Sequence, residues 1–375
     1  MKKEKTTILS RLSAGLGLQA TSRRIVIVAA MAIIAITSAK AQRIEVVDTE
    51  GHAIPLASVL TNDGTLLGTT DMNGILADVK GAKEVAVTHV AYKPQQVNVA
   101  SLPGGRITME SLDYSIAEIV VKPKPYIYVQ TYYRFYAFIN DSLRFYQAGI
   151  MPNAYNVQKK KVEMGSHSNS YGDFYPSMGV GITWGARVME FHAGKIHKSS
   201  AKFLNDSVQY YFTTLTDEGN GRRRVDNPEG TMGYIVNEGG MISTTLDAGK
   251  LQMYRNKALG EDKKLKKREE MEYAYQYTDV FMVDENGNCG IEDMVMDTNH
   301  WEWTKSKGRY KMIIETYTVD RGYMDKAEWK AKKKELKQEY KSVLSLNQLE
   351  TYATKHNIPA LAPSIRQTIE RLGKK

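Results

Sequence analysis

A single cysteine, Cys289, stands in a chain of 375 residues, so no intramolecular disulfide can form and stability must come from packing. The apolar run Ile25 to Ile36 is shorter than the about 20 residues a membrane-spanning helix takes, and no second long apolar segment follows it. Gly-x-Ser-x-Gly and His-Glu-x-x-His are both absent. That removes the usual marks of a hydrolase nucleophile and of a helical zinc pair. No cysteine closes the apolar run, which excludes a lipid-bearing N-terminal cysteine.

Positive charge is present, but most of it is local. The formal net charge is +9, and residues 1–41 carry seven basic side chains against the single acid Glu4, so six of the nine charges lie there. The remainder is close to balanced, and the charge argument for nucleic acid falls away. A basic start, the short apolar run and Ala39-Lys40-Ala41 before Gln42 are the marks of a secretory signal peptide over residues 1–41, with an uncleaved anchor as the competing reading because the basic region is long.

Residues 43–121 read as short alternating segments divided by turns. Ile44-Glu45-Val46-Val47 alternates before a turn over Asp48 to Gly51, and Asn62-Asp63-Gly64 is a hairpin signal. Asp71-Met72-Asn73-Gly74 is a further turn, and Glu84 to Val90 alternates again with Val85, Val87 and His89 on one side.

These residues carry a family resemblance. The order Asp48…Gly51, Pro55…Ala57-Ser58-Val59, Gly68-Thr69-Thr70-Asp71…Gly74 and Val87-Thr88-His89-Val90-Ala91-Tyr92-Lys93 resembles the carboxypeptidase regulatory-like domain. The resemblance covers about 80 residues and implies a transthyretin-like β-sandwich, common at the N-termini of Bacteroidetes envelope proteins and TonB-dependent transporters. Ala91 replaces the glycine usual before the tyrosine, and Ile75 the aromatic usual after Gly74; both suit packing. The family's sandwich brings no catalytic residues. It accompanies zinc carboxypeptidases in some proteins, yet none of the seven histidines here is followed by Glu three residues on, so the zinc peptidase reading fails.

Leu112 to Lys122 is expected to form a joining strand, and Pro123 and Pro125 bracket a stiff linker. From Tyr126 to Gly322 the chain is aromatic and turn-rich. Tyr126 to Tyr133 is strand-like, although Tyr132 to Asp141 also fits the start of a helix. Asn140 to Ile150 resembles a segment of uncharacterised proteins that share the N-terminal domain, without implying an activity. Val208 to Leu215, Met271 to Val283 and Tyr310 to Val319 alternate as antiparallel strands. Glu261 to Glu270 is a solvated charged run. Lys326 to Tyr340 reads as a charged helix, and Ser345-x-x-Gln348 and Ser364-x-x-Gln367 fit the capping box at two further helix starts.

Each candidate site has a plain structural competitor. His192 and His197 are five apart, which fits neither helical nor strand ligand spacing, so surface histidines are expected. Asp284 to Gly290 opens like a calcium loop but has Cys289 and Val295 where Gly and Glu are needed, so a turn at Asn286-Gly287 is expected. Gly165-Ser166-His167-Ser168 reads as a loop, Gly179-Val180-Gly181 as a strand turn, and Cys289 as an idle buried thiol. Arg222-Arg223-Arg224, between Gly219–Gly221 and Asp226–Pro228, reads as a mobile basic loop able to touch anionic lipid. The 23 tyrosines are expected mainly in core and edge packing, with a glycan or peptide groove as the competing use.

The expected architecture is mainly β with an α C-terminus. It comprises a signal peptide (1–41), a transthyretin-like sandwich (42–122), a linker (123–125), a β-rich antiparallel domain (126–322) and charged C-terminal helices (323–375). The expected function is that of an exported, non-catalytic binding or scaffold protein of the periplasm or outer membrane, with no catalytic, cofactor or metal residues. Its expected partner is an outer-membrane protein or an envelope glycan, with peripheral membrane association allowed and nucleic acid excluded. One alternative is a glycan hydrolase using carboxylates such as Asp173, Glu190 or Asp279; another is a small membrane-embedded protein, although the charged tail does not resemble a terminal barrel strand.

Overall fold

The computed structural model describes residues 43–112, 124–159, 161–172, 212–261, 272–287, 289–306, 308–339 and 344–373. The expected signal peptide and most of the joining strand lie outside these residues, as do residues 208–211 and nearly all of the charged run after Glu261. The described chain is mainly β, with helices gathered at its C-terminus.

The first seven strands are short: β1 (Ile44–Val47), β2 (Ser58–Thr61), β3 (Leu66–Thr69), β4 (Ile75–Leu76), β5 (Glu84–His89), β6 (Tyr92–Asn98) and β7 (Arg106–Thr108). They form two sheets, β4-β1-β7 and β3-β2-β5-β6. Ile44, Val46, Val59, Val85, Val87 and Ile107 fill the space between them, as inward-facing residues of a sandwich do. The turn at Gly74 shows why the sequence reads as it does. Asp71 Oδ1 accepts from the backbone N–H of Asn73 and Ile75, each at 2.9 Å. Gly74 itself has φ +72°, and a Cβ there would lie 2.5 Å from the Val46 carbonyl oxygen. Only glycine meets both demands without strain.

The rest of the chain builds one wide sheet from β8 (Tyr126–Ile139), β9 (Ser142–Asn156), β10 (Lys161–Met164), β11 (His167–Gly172), β12 (Thr214–Gly219), β13 (Arg222–Asn227), β14 (Gly230–Glu238), β15 (Met241–Leu246), β16 (Ala274–Met282), β17 (Met294–Lys305) and β18 (Gly308–Met324). Its order is β10-β9-β8-β18-β17-β16-β15-β14-β13-β12, with β11 also on β9. Helix α1 (Ala248–Ala258) follows β15, capped by Asp247, whose side chain accepts from Lys250 N. Helices α2 (Lys326–Glu339), α3 (Leu346–Lys355) and α4 (Pro363–Leu372) end the chain.

Residues 132–139 are strand, not helix. Both faces of β8 are buried: Tyr132, Tyr136 and Phe138 enter one core cluster, Tyr133, Phe135 and Ala137 the opposite one. A doubly buried strand loses the polar alternation that separates strand from helix in sequence. The first cluster is where the parts of the molecule meet. Leu60, Leu66, Ala86 and Val90 of the sandwich pack there with Ile313 and Tyr317 of β18 and with Leu349, Ile365 and Ile369 of the helices. Polar contacts run along the same seam: Leu66 N donates to Asp141 O at 2.9 Å, and Lys311 Nζ to Thr69 Oγ1 at 2.9 Å.

The helix starts divide. Ser345 caps α3 with the full reciprocal capping box to Gln348. At Ser364 the expected cap does not form. Helix α4 begins one residue earlier, with Pro363 in its first turn and Ala362 as cap. Proline is preset for that position, where its missing N–H would have had no intrahelical partner anyway, and Ser364 is buried against the core.

Candidate functional site

Where the sandwich approaches β13–β17, a cleft of about 500 Å³ opens. One wall comes from residues 48–55 with His89, Tyr92, Ser111 and Leu112, and the other from Arg222, Tyr234, Glu238, Ser243, Thr245 and Thr278. Turn chemistry positions both walls. On the sandwich side Asp48 Oδ1 accepts from the N–H of Glu50 at 2.9 Å and of His52 at 2.8 Å, fixing the turn the sequence announced. His52 Nδ1 sits 3.3 Å from Asp48 Oδ2 and 3.6 Å from Glu50 Oε2.

On the sheet side, the arginine triplet is not a mobile loop. Arg222 to Arg224 open β13, paired with both β12 and β14. The turn before them is held by Gly221, which has φ +72° and abuts the Asn237 carbonyl. Arg222 is buried: its guanidinium lies 3.9 Å over the Tyr234 ring centre and its Nε 3.2 Å from Glu218 Oε2. Arg224 pairs with Asp226 and Glu218. Carboxylates supplied by the neighbouring turn and strand turned a presumed solvated patch into a strand.

The electrostatics of the cleft centre on Tyr92. Burial, then the charge of Asp48, pushes its phenol up to about 12, with Glu238 and Glu50 acting the same way and Arg222 against them. All five side chains line the cleft. His89 stands beside Tyr92, its ring edge-on at 5.2 Å. Burial pushes the imidazole down to about 4, so it is neutral at physiological pH. Its Nδ1 accepts from Ala91 N at 3.1 Å, which leaves the proton on Nε2, and Nε2 has no hydrogen-bond partner.

A second polar constellation lies on the sheet face away from the sandwich. Asp279 of β16 is the direct register partner of Asp297 of β17, and both are buried. Opposed residues of this kind hold their Cβ atoms about 5 Å apart. Asn299 Nδ2 donates to Asp297 Oδ2, and Tyr275 OH donates to Asn299 Oδ1 at 2.9 Å. Tyr275 stacks on Trp301 at 5.2 Å, with Tyr277 beside it. Asp297 escaped the sequence reading; the signal was alternation across the Asn286-Gly287 turn, which sets β16 against β17.

A third, smaller cavity of about 30 Å³ sits at the seam between sheet, sandwich and tail, lined among others by Arg134, Tyr136, Glu315 and Leu361. It has room for a water or two. Glu315 takes a hydrogen bond from Tyr136 OH at 3.2 Å, and burial raises its carboxyl pKa.

The other sequence candidates are dispersed. His192, His197, Gly179 to Gly181, Asp173 and Glu190 lie outside the described residues. At 284–287 the expected turn forms, with Gly287 N bonded to Asp284 O at 2.9 Å. His167 and Ser168 belong to β11, where Ser168 Oγ accepts from Gln147 Nε2 at 3.1 Å. Cys289 is buried in the cluster behind the sheet. Among the described residues no group of three or more His, Cys, Asp or Glu side chains is placed to hold a metal ion. No protein-family model matches the chain, and no curated protein compared with it is similar to it.

Proposed function

We propose that the chain is an exported cell-envelope protein that binds its ligand without altering it, in the cleft between the sandwich and the sheet. The observation that carries this reading is the cleft itself: about 500 Å³, walled by residues from both parts of the molecule, with His89, whose buried Nε2 has no hydrogen-bond partner, in its lining. Ligand sites favour such junctions and such volumes. The signal-peptide features of residues 1–41 support export. The likeness of residues 43–121 to the carboxypeptidase regulatory-like domain supports an envelope setting, in the periplasm or at the outer membrane. An outer-membrane protein or an envelope glycan is the partner class. No helix among the described residues is long and apolar enough to cross a membrane.

Two measurements test the reading. Fractionation with N-terminal sequencing is expected to find the chain in periplasm or outer membrane, beginning at Gln42; full-length chain in the cytoplasm overturns it. Titration of defined glycan and peptide fragments is expected to show saturable binding that Ser243→Trp, on the cleft wall, abolishes.

A second reading rests on Asp279 and Asp297. Two carboxylates directly opposed on adjacent strands, with Tyr275, Tyr277 and Trp301 alongside, are the kind of paired acid a glycosidase uses. Release of reducing ends from envelope glycan, lost in Asp279→Asn with folding intact, would establish it over the first.

A further inference from the structure

The cleft carries information about the charge of what it holds. Three carboxylates, Asp48, Glu50 and Glu238, line it. Their acidity is not offset within the cleft. Arg222, its one guanidinium, is already committed to Glu218 and to the face of Tyr234. His52 lies between Asp48 and Glu50 and adds a charge only when protonated. Glu50 and Glu238 are exposed at the rim, while Tyr92 stands between the walls and feels all three acids.

A second observation is independent of these charges. His89, 7% exposed, lies in the lining of both this cleft and the small seam cavity, and its Nε2–H is buried with no hydrogen-bond partner. A buried donor left unpaired keeps its desolvation penalty, and a ligand that supplies an acceptor recovers it. A ligand satisfying both ends has a positive group at the rim and a neutral oxygen at His89. A bare metal ion supplies the positive charge but no acceptor for that N–H.

We propose that the cleft selects a ligand bearing an ammonium or guanidinium group, held among Asp48, Glu50 and Glu238 beside the Tyr92 ring, with a hydroxyl or carbonyl oxygen of the same ligand accepting from His89 Nε2. This deepens the reading of the cleft as the ligand site and rests on it. An aromatic ring flanked by carboxylates is a general receptor for organic cations. Two sources share the chemistry, a basic peptide side chain and an amino sugar, and the probes below separate them.

The experiment is calorimetric titration of the chain with four probes: tri-lysine amide, its Nε-acetylated form, a β-1,4-linked glucosamine trimer and its N-acetylated form. One amine probe is expected to bind at least tenfold tighter than its acetylated partner. Its affinity should fall about three- to tenfold in Glu238→Gln and in Glu50→Gln, and fall further as salt rises. Both glutamates are exposed, so these variants keep the fold. Glu335→Gln, at an exposed position of α2 outside the cleft lining, should change nothing. On binding, the His89 Nε2–H proton resonance is expected to move downfield.

Equal affinity for amine and acetylated probes, abolished by Ser243→Trp, overturns the cation assignment and leaves the cleft as the ligand site. Amine binding that Ser243→Trp leaves intact overturns the cleft itself, and the assignment with it. Failure of all four probes to bind at millimolar concentration overturns the assignment, as do glutamine variants of unchanged affinity.

Discussion

Arg134 and Glu350, 216 positions apart in the chain, form a buried ion pair: Nη2 lies 3.0 Å from Oε1, and the two side chains are 2% and 10% exposed. Arg134 Nη1 also donates to the Pro359 carbonyl at 2.7 Å, and Glu350 Oε2 accepts from Leu361 N at 3.2 Å. The pair thus clasps the turn between α3 and α4 onto β8. Removing one partner leaves the other charge buried and uncompensated, which costs about 3–5 kcal/mol. Glu350→Gln is expected to lower unfolding stability by that order in urea. Arg134→Met with Glu350→Leu should cost distinctly less, because neither charge then remains.

Sandwich, sheet and tail share one core, and they are expected to unfold together. Leu66 of β3 is 1% exposed in the cluster that also holds Tyr146, Ile313, Leu349 and Ile369. Truncating a leucine so placed costs about 2–5 kcal/mol. Leu66→Ala should shift the whole calorimetric transition of the mature chain downward while keeping a single peak. A separate early peak, with the rest unmoved, would mean that the sandwich unfolds alone.

How much of this could be read in advance depends on the range over which each feature is determined. The Asp71 turn, the Ser345 capping box and the β16–β17 turn at Asn286-Gly287 are written in three or four consecutive residues, and they were legible. Ser364 carries the same capping signature and fails, because Pro363 presets the helix start and the serine is buried. Tyr132 to Asp141 was ambiguous because tertiary packing covers both faces of β8. The alternation over Glu84 to Val90 gave only one face, Val85 and Val87, whereas Ala86 and Val90 pack in the cluster shared with the large sheet. Arg222 to Arg224 looked solvated although Glu218 and Asp226 stand close by in sequence, because the pairing of β13 with β12 and β14, which brings Tyr234 over Arg222, is settled only in the fold. The cleft had no local signal at all. Its walls come from residues 48–112 and 220–296, far apart along the chain, and His89 gives no sign in sequence that one nitrogen will lack a partner.

Lys311 links stability to alkaline pH. Its ammonium is nearly buried against the sandwich, and burial pulls its pKa down from 10.5 to about 8, with Glu302 opposing. Below pH 8 folded and unfolded chains both carry the proton, and the cost of the buried charge is fully present. Between pH 8 and 10.5 the folded chain releases the proton first, the unfolded chain binds more, and stability rises with pH. The whole effect is about 3 kcal/mol at most. Tyrosines titrate in the same range, so the comparison with Lys311→Met isolates it. That variant is expected to be at least as stable as the parent at pH 7, with its relative advantage shrinking by pH 10.5. A difference constant with pH would show that Lys311 does not titrate inside this window.

Cys289 reports on opening of the face behind the sheet. Burial, then the negative charges of Asp293, Glu292 and Asp284, pushes its thiol up to about 12. The thiolate is the reacting form, so at pH 8 only about one thiol in ten thousand is competent even before access is considered. A disulfide-exchange reagent at pH 8 is therefore expected to leave the native chain unlabelled for hours and to label it at once in denaturing urea. At intermediate urea the labelled fraction should track the loss of circular dichroism, because Cys289 packs in the same cluster as Phe135, Phe281 and Met294. Rapid labelling without urea, at unchanged circular dichroism, would place a local opening in the segment from Val283 to Asp293. Its rate would then measure that opening directly, since no other cysteine competes.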